Sequence, residues 1–267
     1  MNTEQKRGTL VIIGGAEDRQ GDCVVLREFI RAAGGMKARI AVMTAATSIP
    51  REVGDEYINI FKRLGAESVQ VVHTEHREDS EREDSLRIIE QATGIFFTGG
   101  DQSRIVKFIK GTLLDKAIHK RHEEGATIGG TSAGAAMMPD KMILGGASVS
   151  NPSVDAVSMG PGMGFLPGFV VDQHFAQRGR LGRLLAALVQ QPSVLGLGID
   201  EDTAIVVNGD EFYVVGQGAV TVVDESTSTH NNLDGLLKDE AIALCAVKLH
   251  ILPHGYRFNL TTHLPLV

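Results

Sequence analysis

The chain has 267 residues, a formal net charge of −7 and 43% hydrophobic residues. That length and apolar fraction suit one large domain or two small ones with an ample core. The acidic balance argues against a nucleic-acid partner, which needs a basic face, and no run approaches the ~20 apolar residues of a membrane span.

In chain order, the stretch M-N-T-E-Q-K-R-G-T-L-V-I-I-G-G comes first. Its apolar run is too short for a secretory signal and ends in glycines, so it reads as a first strand at 9–13. Short continuous apolar runs follow at 39–44 (R-I-A-V-M-T), 69–72 (V-Q-V-V), 94–98 (G-I-F-F-T), 126–129 (A-T-I-G), 169–172 (F-V-V-D) and 195–199 (L-G-L-G-I). Between the early strands lie helical spacings, such as Val24, Val25, Leu26, Phe29 and Ile30, then Tyr57, Ile58, Phe61 and Leu64. Apolar strands separated by amphipathic helices predict βαβ units: an α/β fold with a mostly parallel central sheet covered by helices on both faces. After residue 200, A-I-V-V, E-F-Y-V-V and A-V-T-V-V are divided by N-G-D and G-Q-G, the turn signals of an antiparallel meander. With no repeat, low-complexity tract or linker, residues 1–267 read as a single α/β domain with a β-rich C-terminal part. Cys23 and Cys245 make neither a disulfide framework nor a metal-ligand spacing, which fits a reducing cytoplasm.

Working residues in such sheets sit where strands end at their carboxyl edge. Four strand ends carry them: F-F-T-G-G-D-Q, I-G-G-T-S-A-G, V-V-D-Q-H and L-G-I-D-E-D. Gly130-Thr131-Ser132-Ala133-Gly134 fits the nucleophile elbow G-x-S-x-G. A sharp strand-to-helix turn forces the serine into strained backbone angles, so small neighbours must flank it. The turn leaves the N–H of Ala133 free to face an oxyanion, and a helix over A-G-A-A-M-M adds its positive end. The bland reading is a glycine-rich phosphate-binding turn. A dinucleotide fingerprint, however, would need glycine where Thr131 stands, and the G-K-[ST] of a Walker loop is missing.

A serine nucleophile needs a base within hydrogen-bond reach, held in turn by a carboxylate. Of nine histidines, His119 and His122 lie in the charged stretch H-K-R-H-E-E and are expected to face solvent, while His230, His250, His254 and His263 lie far along the chain. His73 and His76 follow a strand and compete, although a polar loop explains them equally. His174 closes F-V-V-D-Q-H at the active edge and is the preferred base, against the reading of a satisfied structural histidine. Asp172, two residues away, shares a strand face with it but is too rigidly splayed for the orienting bond. That favours Asp200, Glu201 or Asp202, among which spacing does not choose. Gly99 and Gly100 let the main chain approach a carbonyl closely and offer a second oxyanion donor, with an ordinary tight turn as the alternative. Beside His174, Arg178, Arg180 and Arg183 suggest an acidic substrate, because arginine's planar fork pairs with carboxylates. Asp172 could meet a cationic group, so the substrate would carry both signs.

F-F-T-G-G-D-Q, G-T-S-A-G-A-A, V-V-D-Q-H-F and L-G-L-G-I-D-E-D-T-A together resemble the cyanophycinase family of serine exopeptidases, related to the aspartyl dipeptidases of the dipeptidase E type. The similarity runs in order from I-I-G-G-A-E-D (12–18) to V-V-G-Q-G (214–218). The resemblance implies a class I glutamine amidotransferase-like fold, a homodimer, and no metal or organic cofactor. It implies Ser132 as nucleophile, His174 as base and Glu201 as orienter, with Gln102, Asp172, Gln173, Arg178, Arg180 and Arg183 in the substrate pocket. The implied substrate is cyanophycin, a polyaspartate backbone with arginine on each β-carboxylate, released as β-Asp-Arg dipeptides by an intracellular enzyme. The loop G-A-S-V-S-N-P-S-V-D (146–155) is less similar to the family than these motifs are. Rival readings are an α-aspartyl dipeptidase on the same fold, a hydrolase of a related polymer with lysine replacing some arginine, and a non-catalytic α/β ligand-binding module.

Overall fold

The computed structural model describes residues 7–148, 151–191, 193–226, 228–232, 236 and 240–266. Residues 1–6, and Val149 and Ser150 of the 146–155 loop, lie outside them. In chain order the elements are β1 (Leu10–Ile13), α1 (Val24–Ala32), β2 (Arg39–Met43), α2 (Pro50–Arg63), β3 (Ser68–Val72), α3 (Glu83–Gln91), β4 (Gly94–Phe97), α4 (Gln102–Ile109), α5 (Leu113–Glu123), β5 (Thr127–Thr131) and α6 (Ala133–Ala136). Then come β6 (Lys141–Gly146), β7 (Val157–Pro161), β8 (Phe169–Gln173), α7 (Leu181–Gln190), β9 (Leu195–Ile199), β10 (Thr203–Asn208), β11 (Glu211–Gly216) and β12 (Ala219–Asp224). Short strands close the chain: β13 (His230–Asn231), β14 (Leu244–Cys245), β15 (Lys248–Pro253), β16 (Arg257–Asn259) and β17 (Leu264–Leu266).

The central sheet runs β17-β16-β11-β10-β1-β5-β4-β2-β3. Strands β1, β5, β4, β2 and β3 are mutually parallel, whereas β10, β11, β16 and β17 continue the sheet antiparallel beyond β1. The expected α/β architecture therefore holds. Alternation along β1 sends Leu10 and Ile12 into one core and Val11 and Ile13 into the other, so both sheet faces are covered. On one side Phe29 of α1, Tyr57 and Phe61 of α2 and Phe96 of β4 form an aromatic cluster with ring centroids 5.0–5.7 Å apart. On the other, Ile89, Ile105, Leu114 and Ile118 bring in α3, α4 and α5.

Local signals fix the helix starts. Pro50 stands at the first turn of α2, Asp101 caps α4 by accepting the Ser103 N–H, and Thr112 caps α5 by accepting from Asp115.

Three expectations need correcting. Strands β8 and β9 do not join the central sheet; they pair parallel to one another in a second sheet of order β15-β12-β9-β8. The meander after residue 200 forms only its first hairpin, β10–β11, because β12 leaves to pair with β9 and β15. His122 is buried, bonded to the Ala126 carbonyl and set edge-on to Phe165, with burial holding its proton affinity below the usual histidine value. A polar-looking helix face thus conceals a core residue.

Register brings the loaded strand ends together. Ile13 lies beside Thr131 in the parallel β1–β5 pair and beside Ala204 in the antiparallel β1–β10 pair. Gly14 therefore adjoins both Ser132 and the 200–202 loop. Gln173 of β8 lies beside Ile199 of β9, which sets His174 next to Asp200 and Glu201.

Candidate active site

Ser132 follows β5 directly and has φ 53° and ψ −107°, a region L-residues rarely occupy. The flanking glycines have steric reasons. A Cβ on Gly130 would meet the Gly134 carbonyl oxygen at 2.2 Å, and one on Gly134 would meet that of Phe97 at 2.3 Å. The turn can therefore close, and α6 can lie against β4, only with hydrogen at both places. Helix α6 is a single turn of four residues, shorter than the expected A-G-A-A-M-M helix. A macrodipole needs several aligned peptides, so the individual N–H groups of this turn matter more than its axis.

From Ser132 a hydrogen-bonded line runs outward. Its Oγ lies 3.1 Å from His174 Nε2, and His174 Nδ1 lies 2.6 Å from Glu201 Oε1. The serine Oγ is also 3.3 Å from Gln173 Oε1. His174 itself, just past the end of β8, has φ +48°.

The three acids of D-E-D have different partners. Asp200 accepts the backbone N–H groups of Ala176 and Ala219, each at 3.0 Å, and Asp202 accepts the Asp18 N–H at 2.8 Å. Both neighbours staple loops; only Glu201 reaches the histidine. Burial, with the nearby Asp18 and Glu17 charges, pushes the Asp202 carboxyl above its usual range.

Among the described residues, nothing accepts a hydrogen bond from the N–H of Ala133, Gly99 or Gly100. A Cβ on Gly99 would sit 3.5 Å from the Ser132 Cβ, and Gly100 has φ +140°. The N–H groups of Ala133, Gly99 and Gly100 are thus left unengaged.

Ser132 opens onto a cavity of about 290 Å³ whose lining includes Gln102, Asp172, Gln173, Arg178, Arg180 and Arg183, the positions for which the resemblance implies a substrate pocket. Buried Asp172 is engaged from within. Arg183 grips it with Nε to Oδ2 at 2.8 Å and its NH2 group to Oδ1, and Arg180 reaches Oδ1 at 3.4 Å. The expectation that Asp172 meets a cationic group of a ligand is thus filled by the protein's own arginines. Three guanidinium groups against one carboxylate leave the cavity cationic. Arg180 is 7% exposed, donates to the Gln173 carbonyl oxygen at 2.5 Å, and has a buried Nε with no partner among the described residues. Burial draws its proton affinity down to about 10, so it stays charged at neutral pH. Gln102 donates its Nε2 hydrogens to the Ile143 and Leu144 carbonyls and so holds β6 as one wall.

Sequence reasoning missed the loop after β1. A Cβ on Gly15 would lie 2.4 Å from His174 Cε1 and Nε2, so its bare α-carbon makes room for the imidazole. The G-G after the first strand was the available signal, of the same kind as those at the other strand ends.

A serine, a histidine and a carboxylate joined by hydrogen bonds at the loop edge of an α/β sheet define the class of Ser–His–acid hydrolases. The chain belongs to peptidase family S51, whose family model matches residues 10–215. It is 42% identical over 262 residues to the cyanophycinase of Geminocystis herdmanii, covering 97% of this chain and 96% of that one. It is 41% identical over 272 residues to the cyanophycinase of Trichormus variabilis, covering 100% and 91%. Among solved structures, a peptidase from an acI-B1 actinobacterium superposes with a TM-score of 0.68 at 21% identity, over 96% of this chain and 98% of that one. That likeness is one of fold.

Proposed function

We propose that this peptidase is a cyanophycinase: a serine exopeptidase that hydrolyses cyanophycin to β-Asp-Arg dipeptides, acting in the cytoplasm as a homodimer and without a cofactor. The observation that carries the reading is the Ser132–His174–Glu201 line opening onto a cationic cavity lined by Arg178, Arg180 and Arg183. The names of relatives aligned along the whole chain supply the polymer.

His174 Nε2 takes the Ser132 proton as Oγ attacks the scissile carbonyl. Glu201 holds the ring with Nδ1–H towards itself and stabilises the imidazolium that forms. The developing oxyanion rests on the N–H of Ala133 and on that of Gly99 or Gly100. His174 then returns the proton to the leaving amine, and water cleaves the acyl-enzyme by the reverse sequence. A carboxylate of the substrate binds the Arg178–Arg180–Arg183 cluster, whose planar forks suit it.

Mass analysis of products after incubation with purified cyanophycin is the test, and β-Asp-Arg dipeptides are the expected product. Ser132→Ala should abolish release while retaining polymer binding. Turnover of Asp-X dipeptides with none of the polymer would replace this reading by an α-aspartyl dipeptidase. Substantial activity in Ser132→Ala would remove the serine from the mechanism.

A further inference from the structure

Four residues other than glycine with positive φ meet at the loop Gly14–Asp18: Ala16 within it, and Ser132, His174 and Asp202 around it, with φ between 46° and 53°. Each neighbour is tied there. The Ser132 N–H donates to Ile13 O at 3.0 Å, the His174 N–H to Gly14 O at 2.8 Å and the Asp202 N–H to Gly15 O at 2.9 Å. Backbone strain persists only where surroundings over-determine it, and here the end of β1 and the loop after it fix three strained positions.

At its centre lies Glu17, whose side chain is wholly buried. Its Oε2 accepts the Thr131 hydroxyl at 2.5 Å. Its Oε1 accepts the Tyr57 hydroxyl at 2.5 Å and Arg19 Nε at 3.1 Å. Arg19 is itself paired with Glu56 at 3.0 Å, which anchors the carboxylate to α2. A buried anion with three donors has a single orientation, and losing one donor leaves charge uncompensated. Thr131 precedes Ser132, so the Thr131 hydroxyl transmits that fixed orientation to the peptide that sets the serine's angles.

We propose that Glu17 is a positioning residue that holds Ser132 in its strained rotation through the Thr131 hydroxyl. It touches no reacting atom; its effect is on the aim of Oγ towards a bound carbonyl. The inference rests on Ser132 being the nucleophile.

The experiment compares Thr131→Val, Thr131→Ser and Tyr57→Phe with the parent in steady-state hydrolysis of cyanophycin, with thermal midpoints recorded for each. Thr131→Val keeps the shape but removes the donor. Its kcat should fall at least ~10-fold with KM within about twofold, since small misplacements at a reacting centre cost rates of this order. Thr131→Ser, which keeps the hydroxyl, should restore kcat to within about threefold of the parent. Tyr57→Phe removes a different donor from Glu17 and leaves the Thr131 bond, so it should lower the thermal midpoint while costing kcat clearly less than Thr131→Val does. Parent-like kcat in Thr131→Val overturns the proposal. So does an equal kcat loss in Thr131→Ser, or a loss in Tyr57→Phe matching that of Thr131→Val, either of which marks general loosening. Ser132→Ala is run alongside. If it is inactive while Thr131→Val is active, this inference alone fails; if it stays active, the nucleophile reading fails with it.

Discussion

Three consecutive acids follow β9, and their different partners assign them different work. Asp200 and Asp202 accept backbone N–H groups across loops, while Glu201 Oε1 stands 2.6 Å from His174 Nδ1. Glu201→Gln should lower kcat by roughly a thousandfold or more, as loss of the orienting carboxylate does in other triads, with little change in thermal midpoint. Asp200→Asn should do the reverse: an amide can accept only one of the two N–H bonds, at a cost of ~1–3 kcal/mol in stability and with a far smaller loss in kcat. Steady-state kinetics and denaturant titration of both variants check this, and interchange of the two phenotypes would refute the assignment. The same contrast shows what the residues disclose before folding. Gly130-Thr131-Ser132 and His174 stand out as candidates because each ends an apolar run. Spacing could not separate Asp200, Glu201 and Asp202, since the choice depends on where β8, β1 and the Asp18 loop lie.

The elements were legible wherever period and length agreed, as in β1 to β5 and in α1 and α2. Sheet membership was not. All five residues of β8 and of β9 are buried, like those of β5 in the other sheet, so an apolar run reveals burial and leaves its neighbour open. The β6–β7 hairpin gave no signal, because a long connection separates two strands of mixed exposure with a bulge between Ile143 and Gly145. Helix α1 illustrates a further device. Its N-cap position, Cys23, has φ 50° and no side-chain cap. Asp18 instead shapes the turn that leads into the helix, accepting the N–H groups of Cys23, Gly21 and Gln20 at 2.8–2.9 Å. Those bonds draw its carboxyl from 3.8 down to about 2. The sign follows directly. Its folded proton affinity lies below the unfolded one, so its contribution is complete above about pH 4 and is lost as pH falls through about 2. Asp18→Asn should therefore be less stable than the parent at neutral pH, with the gap closing across that acid window. Parallel acid limbs in urea titrations from pH 6 to 2 would contradict it.

At the scale of the molecule, the question is whether the two sheets fold as one body. Leu197 and Ile199 of β9 and Val220 and Val222 of β12 belong to the same core cluster as Ile12, Phe97, Ile128 and Ile205 of the central sheet. Loops at the edge add a second join, since β8 and β9 deliver His174 and Glu201 to the serine that β5 delivers. Neither sheet can bury its inner face, nor complete the Ser–His–Glu line, without the other. We therefore expect the chain to unfold in one cooperative transition. The sequence lacks tryptophan, so calorimetry with far-UV circular dichroism is the suitable pair of probes. Calorimetric and van't Hoff enthalpies should agree, as a two-state transition demands. Leu197→Ala, at a wholly buried site of the second sheet, should lower stability by ~2–5 kcal/mol through lost transfer energy and the cavity left behind. It should move that single transition as a whole rather than split it. A separate early transition in the variant, with the rest melting at the parent's temperature, would mean that the second sheet is an independent unit docked on the first.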